Sequence, residues 1–174
     1  MIAALALVDH GPEAIRAAAE ACSELFRQHP TPQERAMAAA GRLPFQPRDH
    51  YGYRRDRCAV LDHDEIPPLA RSTIVEVLKQ SRLTVGSRRL TLVRYAPGDF
   101  LLPHRDDLAC SLFAMTSSEV DGLVMQTVDD GFVLITDRAG RHVHLPPAAW
   151  HWVDPVRRPR LTLMVSPPVR LLQT

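Results

Sequence analysis

Lysine is almost missing from this chain: Lys79 is the only one among 21 basic residues, and 20 acidic residues leave a formal net charge of +1. So near-neutral a balance gives no electrostatic reason to expect nucleic acid or an anionic membrane surface as a partner, and small-molecule or peptide substrates stay open. The arginine excess reads first as coding bias, so each arginine needs its own argument. Cysteine is scarce as well. Cys22, Cys58 and Cys110 are odd in number, widely spaced and outside any C-x-x-C arrangement, which argues against a disulfide framework or a zinc ribbon and for a reducing compartment. Long apolar runs are absent too. The opening MIAALALVDH has no basic n-region, is too short to span a bilayer and leads into Asp9, His10 and Glu13, so a cytoplasmic location is expected.

What is present is 174 residues with 45% hydrophobic content, enough for one respectable core and one domain. From Gly11, PEAIRAAAEACSELFRQH places Ile15, Ala18, Ala19, Cys22, Leu25 and Phe26 at helical spacing, and Pro30 stops the run. PTPQERAMAAAG suggests a second short helix. RLPFQPRDHYGYRRDR, over 42–57, is an irregular Pro- and Gly-punctuated connection and a candidate lid. CAVLDH reads as a short strand. PPLARSTIVEVLKQSRL, with Leu69, Ile74, Val75, Val77 and Leu78 on a broad apolar stripe, predicts the second main helix.

Beyond Leu83 the pattern changes to short β-like runs separated by turn residues: RRLTLVRY, FLLPHRD, ACSLFAMT, DGLVMQTV, GFVLITD, RHVHL, WHWVDPV and RLTLMVS. Eight strands in so short a stretch predict a barrel or a double-sheet jelly roll. Residues 1–83 would then supply helical support packed on one sheet and residues 84–174 the roll, giving an α+β domain.

Within FLLPHRD, residues two apart share a strand face, so His104 and Asp106 converge while Arg105 points away. An imidazole and a carboxylate on one spot suit a divalent metal, although H-x-D alone also fits an ordinary solvated strand end. Three features add weight. His151 opens another β-like run and would close a two-histidine, one-carboxylate triad. Arg160, nine residues further on, would need an anion if aimed inward, and its planar fork matches a carboxylate. Tyr95 lies nine residues before His104, with Gly98 between them to let the chain turn.

Over roughly Leu90 to Val165 the chain resembles the Fe(II)- and 2-oxoglutarate-dependent oxygenases, particularly the prolyl-4-hydroxylase-like branch. YAPG, HRD, HWVDPV and RLTLMV match, in order, that family's Tyr-x-x-Gly segment, H-x-D motif, distal His and the basic residue that follows it. The resemblance implies a double-stranded β-helix, the cupin-like form of jelly roll. It also implies iron held by His104, Asp106 and His151, Arg160 on the distal carboxylate of 2-oxoglutarate and Tyr95 hydrogen-bonding that co-substrate. With dioxygen, such a site would release succinate and carbon dioxide while hydroxylating an amino acid, an amino-acid-derived metabolite or a peptide or protein residue. Asp106 stands where related halogenases have a small residue, so hydroxylation outranks halogenation. DGLVMQTV departs from the pattern in lacking the second Gly and the acidic residue often found there in prolyl hydroxylases.

Two other readings remain. His142 and His144 in RHVHL share a strand face and, with His151, would make a three-histidine site of the cupin kind; the bland reading makes them surface or supporting residues. A non-catalytic roll used as a binding module is the third reading. Of Trp150 and Trp152, one is expected in the core and the other on the pocket wall. Cys110 is expected to fill core space. Arg105 and Asp107 form either a solvated pair or a contact at the substrate rim.

Overall fold

The structure is a computed structural model and describes residues 5–29 and 58–170. The short helix expected in PTPQERAMAAAG and the lid expected over 42–57 lie outside the described residues. Among the described residues, two helices, α1 (Gly11–Glu20) and α2 (Pro68–Gln80), accompany ten strands. The larger sheet contains β1 (Arg27–His29), β2 (Cys58–Leu61), β3 (Arg89–Tyr95), β10 (Arg160–Ser166), β5 (Cys110–Ala114) and β8 (His142–Leu145), in that order. The smaller runs β4 (Leu101–His104), β9 (His151–Val153), β6 (Gly122–Gln126) and β7 (Phe132–Thr136). Each of the eight runs read beyond Leu83 is a strand, and all pairings are antiparallel. The architecture is the expected α+β jelly roll. Among the described residues, no helix is long and apolar enough to cross a membrane.

Period-two alternation divides the larger sheet between two apolar clusters. Leu90 and Leu92 of β3, Phe113 of β5, and Leu161, Leu163 and Val165 of β10 turn toward the helices and join Ile15, Ile74, Val77 and Leu78 in the main core. Burying each of these large side chains contributes about 1.5–3 kcal/mol. Their strand neighbours Thr91, Val93, Tyr95, Leu112, Arg160, Thr162 and Met164 line the inside of the roll instead. There Tyr95, Cys110, Leu123, Leu145 and Val153 form the second cluster.

Three expectations change. The first helix ends at Glu20, and the chain then makes a single tight turn over Ser23–Leu25 before entering β1. Leu25, expected on the buried stripe, is 42% exposed. Tertiary pairing overrides local propensity here: Arg27, Gln28 and His29 satisfy the backbone edge of β2, in register with Val60, Ala59 and Cys58, and Arg27 also pairs with Glu65. On α2 the buried stripe is Ala70, Ile74, Val77 and Leu78, and Leu69 is 81% exposed, one position off that stripe.

The turn into β4 follows from Gly98, whose φ of 85° favours glycine, and from Asp99, whose buried carboxylate accepts the Ala96 N–H at 2.9 Å. Gly122 has a different task. A Cβ there would lie 2.1 Å from the Ile135 carbonyl oxygen and 2.8 Å from the Cα of Thr136, the residue that Gly122 pairs with across β6 and β7. Gly122→Ala is therefore expected to destabilise the fold by about 2 kcal/mol or more, through backbone displacement. Thermal unfolding checks this, and a melting temperature unchanged from wild type would contradict it.

Candidate metal and co-substrate site

His104 ends β4 and His151 begins β9, and the two residues are direct partners in the register of the smaller sheet. Their rings lie 4.1 Å apart between centroids, inclined at 59°. His104 Nδ1 bonds the Leu102 carbonyl at 2.8 Å, and His151 Nδ1 bonds the Ala149 carbonyl at 3.0 Å. A carbonyl only accepts, so each Nδ1 carries the proton and each Nε2 presents a lone pair to the roll interior. Asp106 lies just beyond the strand, with its two oxygens 3.8 Å from His104 Nε2 and 3.5 Å from His151 Nε2. Those separations are too long for hydrogen bonds. All three ligand atoms lie within 4.8 Å of one another, and among the described residues theirs is the one such group of His, Cys, Asp and Glu. The donor set, its convergence and the tautomer fixed on each ring fit a divalent metal of the two-histidine, one-carboxylate class.

The triad opens on a cavity of about 320 Å³, at the small end of ligand pockets. Val60, Val93, Leu112, Leu123, Leu145, Val153 and Met164 make its walls largely apolar. Arg160 enters as the first residue of β10, in register with Tyr95 of β3, and its guanidinium carbon lies 5.1 Å from the Tyr95 ring centre. The anion that an inward arginine requires is supplied by this chain. Arg160 Nε and Nη2 donate to Asp137 Oδ2 and Oδ1 at 2.7 and 3.2 Å, and both residues are buried. Burial pushes the Asp137 carboxyl above the ordinary carboxylate range, and the Arg160 charge and hydrogen bonds only partly oppose it. Two residues along β10, Thr162 lines the same cavity, and its buried Oγ1 has no hydrogen-bond partner among the described residues.

Tyr95, His104, Asp106, His151 and Arg160 therefore line one cavity. Sequence reading passed over Asp137 and Thr162. The second was legible, since a residue two beyond Arg160 must share its strand face; the first lies 23 residues from its partner, and no local pattern links them.

His142 and His144 stand apart. They pair across β5 with Phe113 and Ser111, on the face opposite the one that Leu145 and Leu112 present to the cavity. His142 Nε2 meets Ser111 Oγ at 2.8 Å, and burial, with His144 adding, lowers its pKa to about 4. The three-histidine arrangement with His151 is thus not formed, because alternation on β8 turns both rings away from the cavity. The tryptophans also depart from expectation. Since His151 faces inward, Trp150 and Trp152 face outward: Trp150 lies beneath Arg105 at 4.7 Å and Trp152 meets Phe132 edge-on at 5.0 Å. Neither lines the cavity, and Arg105 is a stacking partner of Trp150. Cys110 is buried, as expected, and burial with the nearby Asp106 charge pushes its thiol up to about 12.

No protein-family model matches the chain, and no curated protein matches it in sequence. Similarity appears at the level of fold. A Pseudomonas putida prolyl-4-hydroxylase superposes with a TM-score of 0.54 at 19% identity, covering 93% of this chain and 88% of that one. A Trichoplax adhaerens prolyl hydroxylase, solved with a hypoxia inducible factor oxygen degradation domain peptide fragment, gives 0.64 at 11% identity, covering 93% and 80%. SnoN, a non-heme alpha ketoglutarate dependent epimerase from nogalamycin biosynthesis, gives 0.51 at 12% identity, covering 93% and 73%.

Removing Asp137 would leave a buried guanidinium uncompensated, so Asp137→Ala is expected to cost about 3–5 kcal/mol of stability. Replacing both partners, as in Asp137→Ala with Arg160→Met, should return much of that loss. Urea unfolding of the single and double variants checks the pair, and additive losses would contradict it.

Proposed function

We propose that the chain is an Fe(II)- and 2-oxoglutarate-dependent oxygenase that hydroxylates an amino acid, an amino-acid-derived metabolite or a residue of a peptide or protein, releasing succinate and carbon dioxide. One observation carries the reading: two imidazoles held with Nε2 inward, and a carboxylate beside them, share a small apolar cavity with a buried arginine. The resemblance of fold to prolyl hydroxylases supports it, and the peptide bound to the Trichoplax protein makes a peptide substrate reasonable here.

In this reading His104, His151 and Asp106 hold the iron. When bound, the metal supplies the activation of dioxygen that is coupled to oxidative decarboxylation of the 2-oxo acid. The chain's own residues do the rest. Arg160 uses the guanidinium edge not taken by Asp137 to receive the remote carboxylate, and the Thr162 hydroxyl, whose Oγ1 has no other partner among the described residues, donates to the same group. Tyr95 fixes the plane of Arg160 from across the sheet. The apolar walls exclude water, and a cavity of about 320 Å³ admits the co-substrate with only the reacting end of a substrate. Three buried cysteines, none of them in a disulfide, suit the reducing, cytoplasmic setting expected from sequence.

The reading is tested by anaerobic titration of Fe(II) and then 2-oxoglutarate, watching for the visible charge-transfer band of the chelated complex. His104→Ala or His151→Ala should abolish tight iron binding with the fold retained; unchanged iron affinity in both would remove the triad. Arg160→Ala should leave iron binding intact and weaken 2-oxoglutarate by roughly 2–5 kcal/mol, or about 30- to several-thousand-fold. Thr162→Val, which removes one hydrogen bond to an ionised carboxylate, should weaken it by about ten- to 150-fold. Near-normal 2-oxoglutarate affinity in Arg160→Ala would overturn the co-substrate assignment.

A further inference from the structure

Arg160 already has a carboxylate. If the reading above holds, a second carboxylate must share the same guanidinium in a place where water is scarce. Asp137 occupies the Nε–Nη2 edge, leaving the Nη1 side for another acceptor. The groups around Asp137 fix the charge balance. Arg160 faces it from β10; Arg141, just before β8, also acts on it as a cation while holding the Thr136 carbonyl at 2.8 Å. Asp121, just before β6, faces it as an anion, accepts the Asp137 N–H through its own carbonyl at 3.0 Å, and engages its carboxylate with Arg157 N and Ser118 Oγ. Arg138, Arg158 and Glu119 line the adjoining surface cleft.

Two arginines and two aspartates thus meet at this end of the roll, and their formal charges cancel. A remote carboxylate arriving on Arg160 would leave the buried group with one negative charge too many.

We propose that Asp137 is a positioning residue for the co-substrate: it holds Arg160 by one edge, leaves the other for the remote carboxylate of 2-oxoglutarate, and takes up one proton when that carboxylate docks. The proton restores neutrality, and protonated Asp137 still accepts from Arg160 through its carbonyl oxygen. Its burial already favours the protonated form. The sign follows from linkage. A complex that binds one more proton than the free protein loses affinity as pH rises, by up to tenfold per pH unit. Both carboxylates of 2-oxoglutarate are ionised above about pH 6, so they do not contribute there.

The inference rests on Arg160 as the co-substrate cation, and the experiment separates the two. Calorimetry on anaerobic, Fe(II)-loaded wild-type protein, in buffers of different ionisation enthalpy between about pH 6 and 8, measures protons taken up per ligand bound. Two ligands are compared: 2-oxoglutarate, and 2-oxobutyrate, which has the same 2-oxo acid head but no remote carboxylate. Expected is an uptake larger for 2-oxoglutarate, by up to one proton per molecule, with its Kd rising with pH relative to 2-oxobutyrate. Equal uptake for the two ligands across that range would overturn the proposal. Asp137→Asn, a fixed mimic of the protonated carboxyl, should remove the difference in pH profile; a profile unchanged from wild type would also overturn it. The wild-type measurement stands even where that variant does not fold. If Arg160→Ala binds 2-oxoglutarate as wild type does, the underlying reading fails; if it binds weakly while uptake is equal for both ligands, only the role of Asp137 fails.

Discussion

An arginine buried at the start of a strand must find an anion, and at Arg160 that requirement joins the two sheets. Arg160 begins β10 of the larger sheet, whereas Asp137 follows β7, the far strand of the smaller one. Their bidentate contact at 2.7 and 3.2 Å closes this end of the roll. Such a pair contributes little net stability compared with an apolar substitute, because each ion loses its hydration, yet breaking it from one side is costly. Its structural effect is specificity. It sets where β10 starts, which places Arg160 opposite Tyr95, and that pairing aligns Thr162 and Met164 along the cavity wall.

The end of the roll that carries His104, Asp106 and His151 is organised by a weaker and more local device. Each histidine bonds a carbonyl two residues before it, so the backbone at a strand end determines which nitrogen faces the cavity. Strand alternation then decides the neighbours. Because His151 faces in, Trp150 and Trp152 are turned outward and cover themselves with Arg105 and Phe132. Because Val143 and Leu145 face in, His142 and His144 cannot. Tyr95, His104, His151 and Arg160 thus stand at strand ends, while the sheet faces supply the apolar walls.

Much of this was legible in the chain. Turn residues between short alternating runs marked eight strands, since the period of two and the Gly and Pro punctuation are local properties. His104, Asp106, His151, Arg160 and Tyr95 could be nominated together because the resemblance supplied an ordered pattern that single residues do not carry. The first helix was read too long because Cys22, Leu25 and Phe26 continue a helical spacing, and sequence does not show that β2 has an edge waiting for Arg27 to His29.

Sequence by itself determined which residues of a strand share a face, the charge balance and the residue types available for a metal, all of which depend on chain-local geometry or on counting. Only tertiary structure decided which anion meets Arg160, that the Thr162 hydroxyl is left without a partner among the described residues, and that the two RHVHL histidines stand on the wrong face for His151. Those outcomes depend on strand order and register, set by the burial of whole sheet faces against the helices and against each other. No window of sequence contains both partners of such a contact.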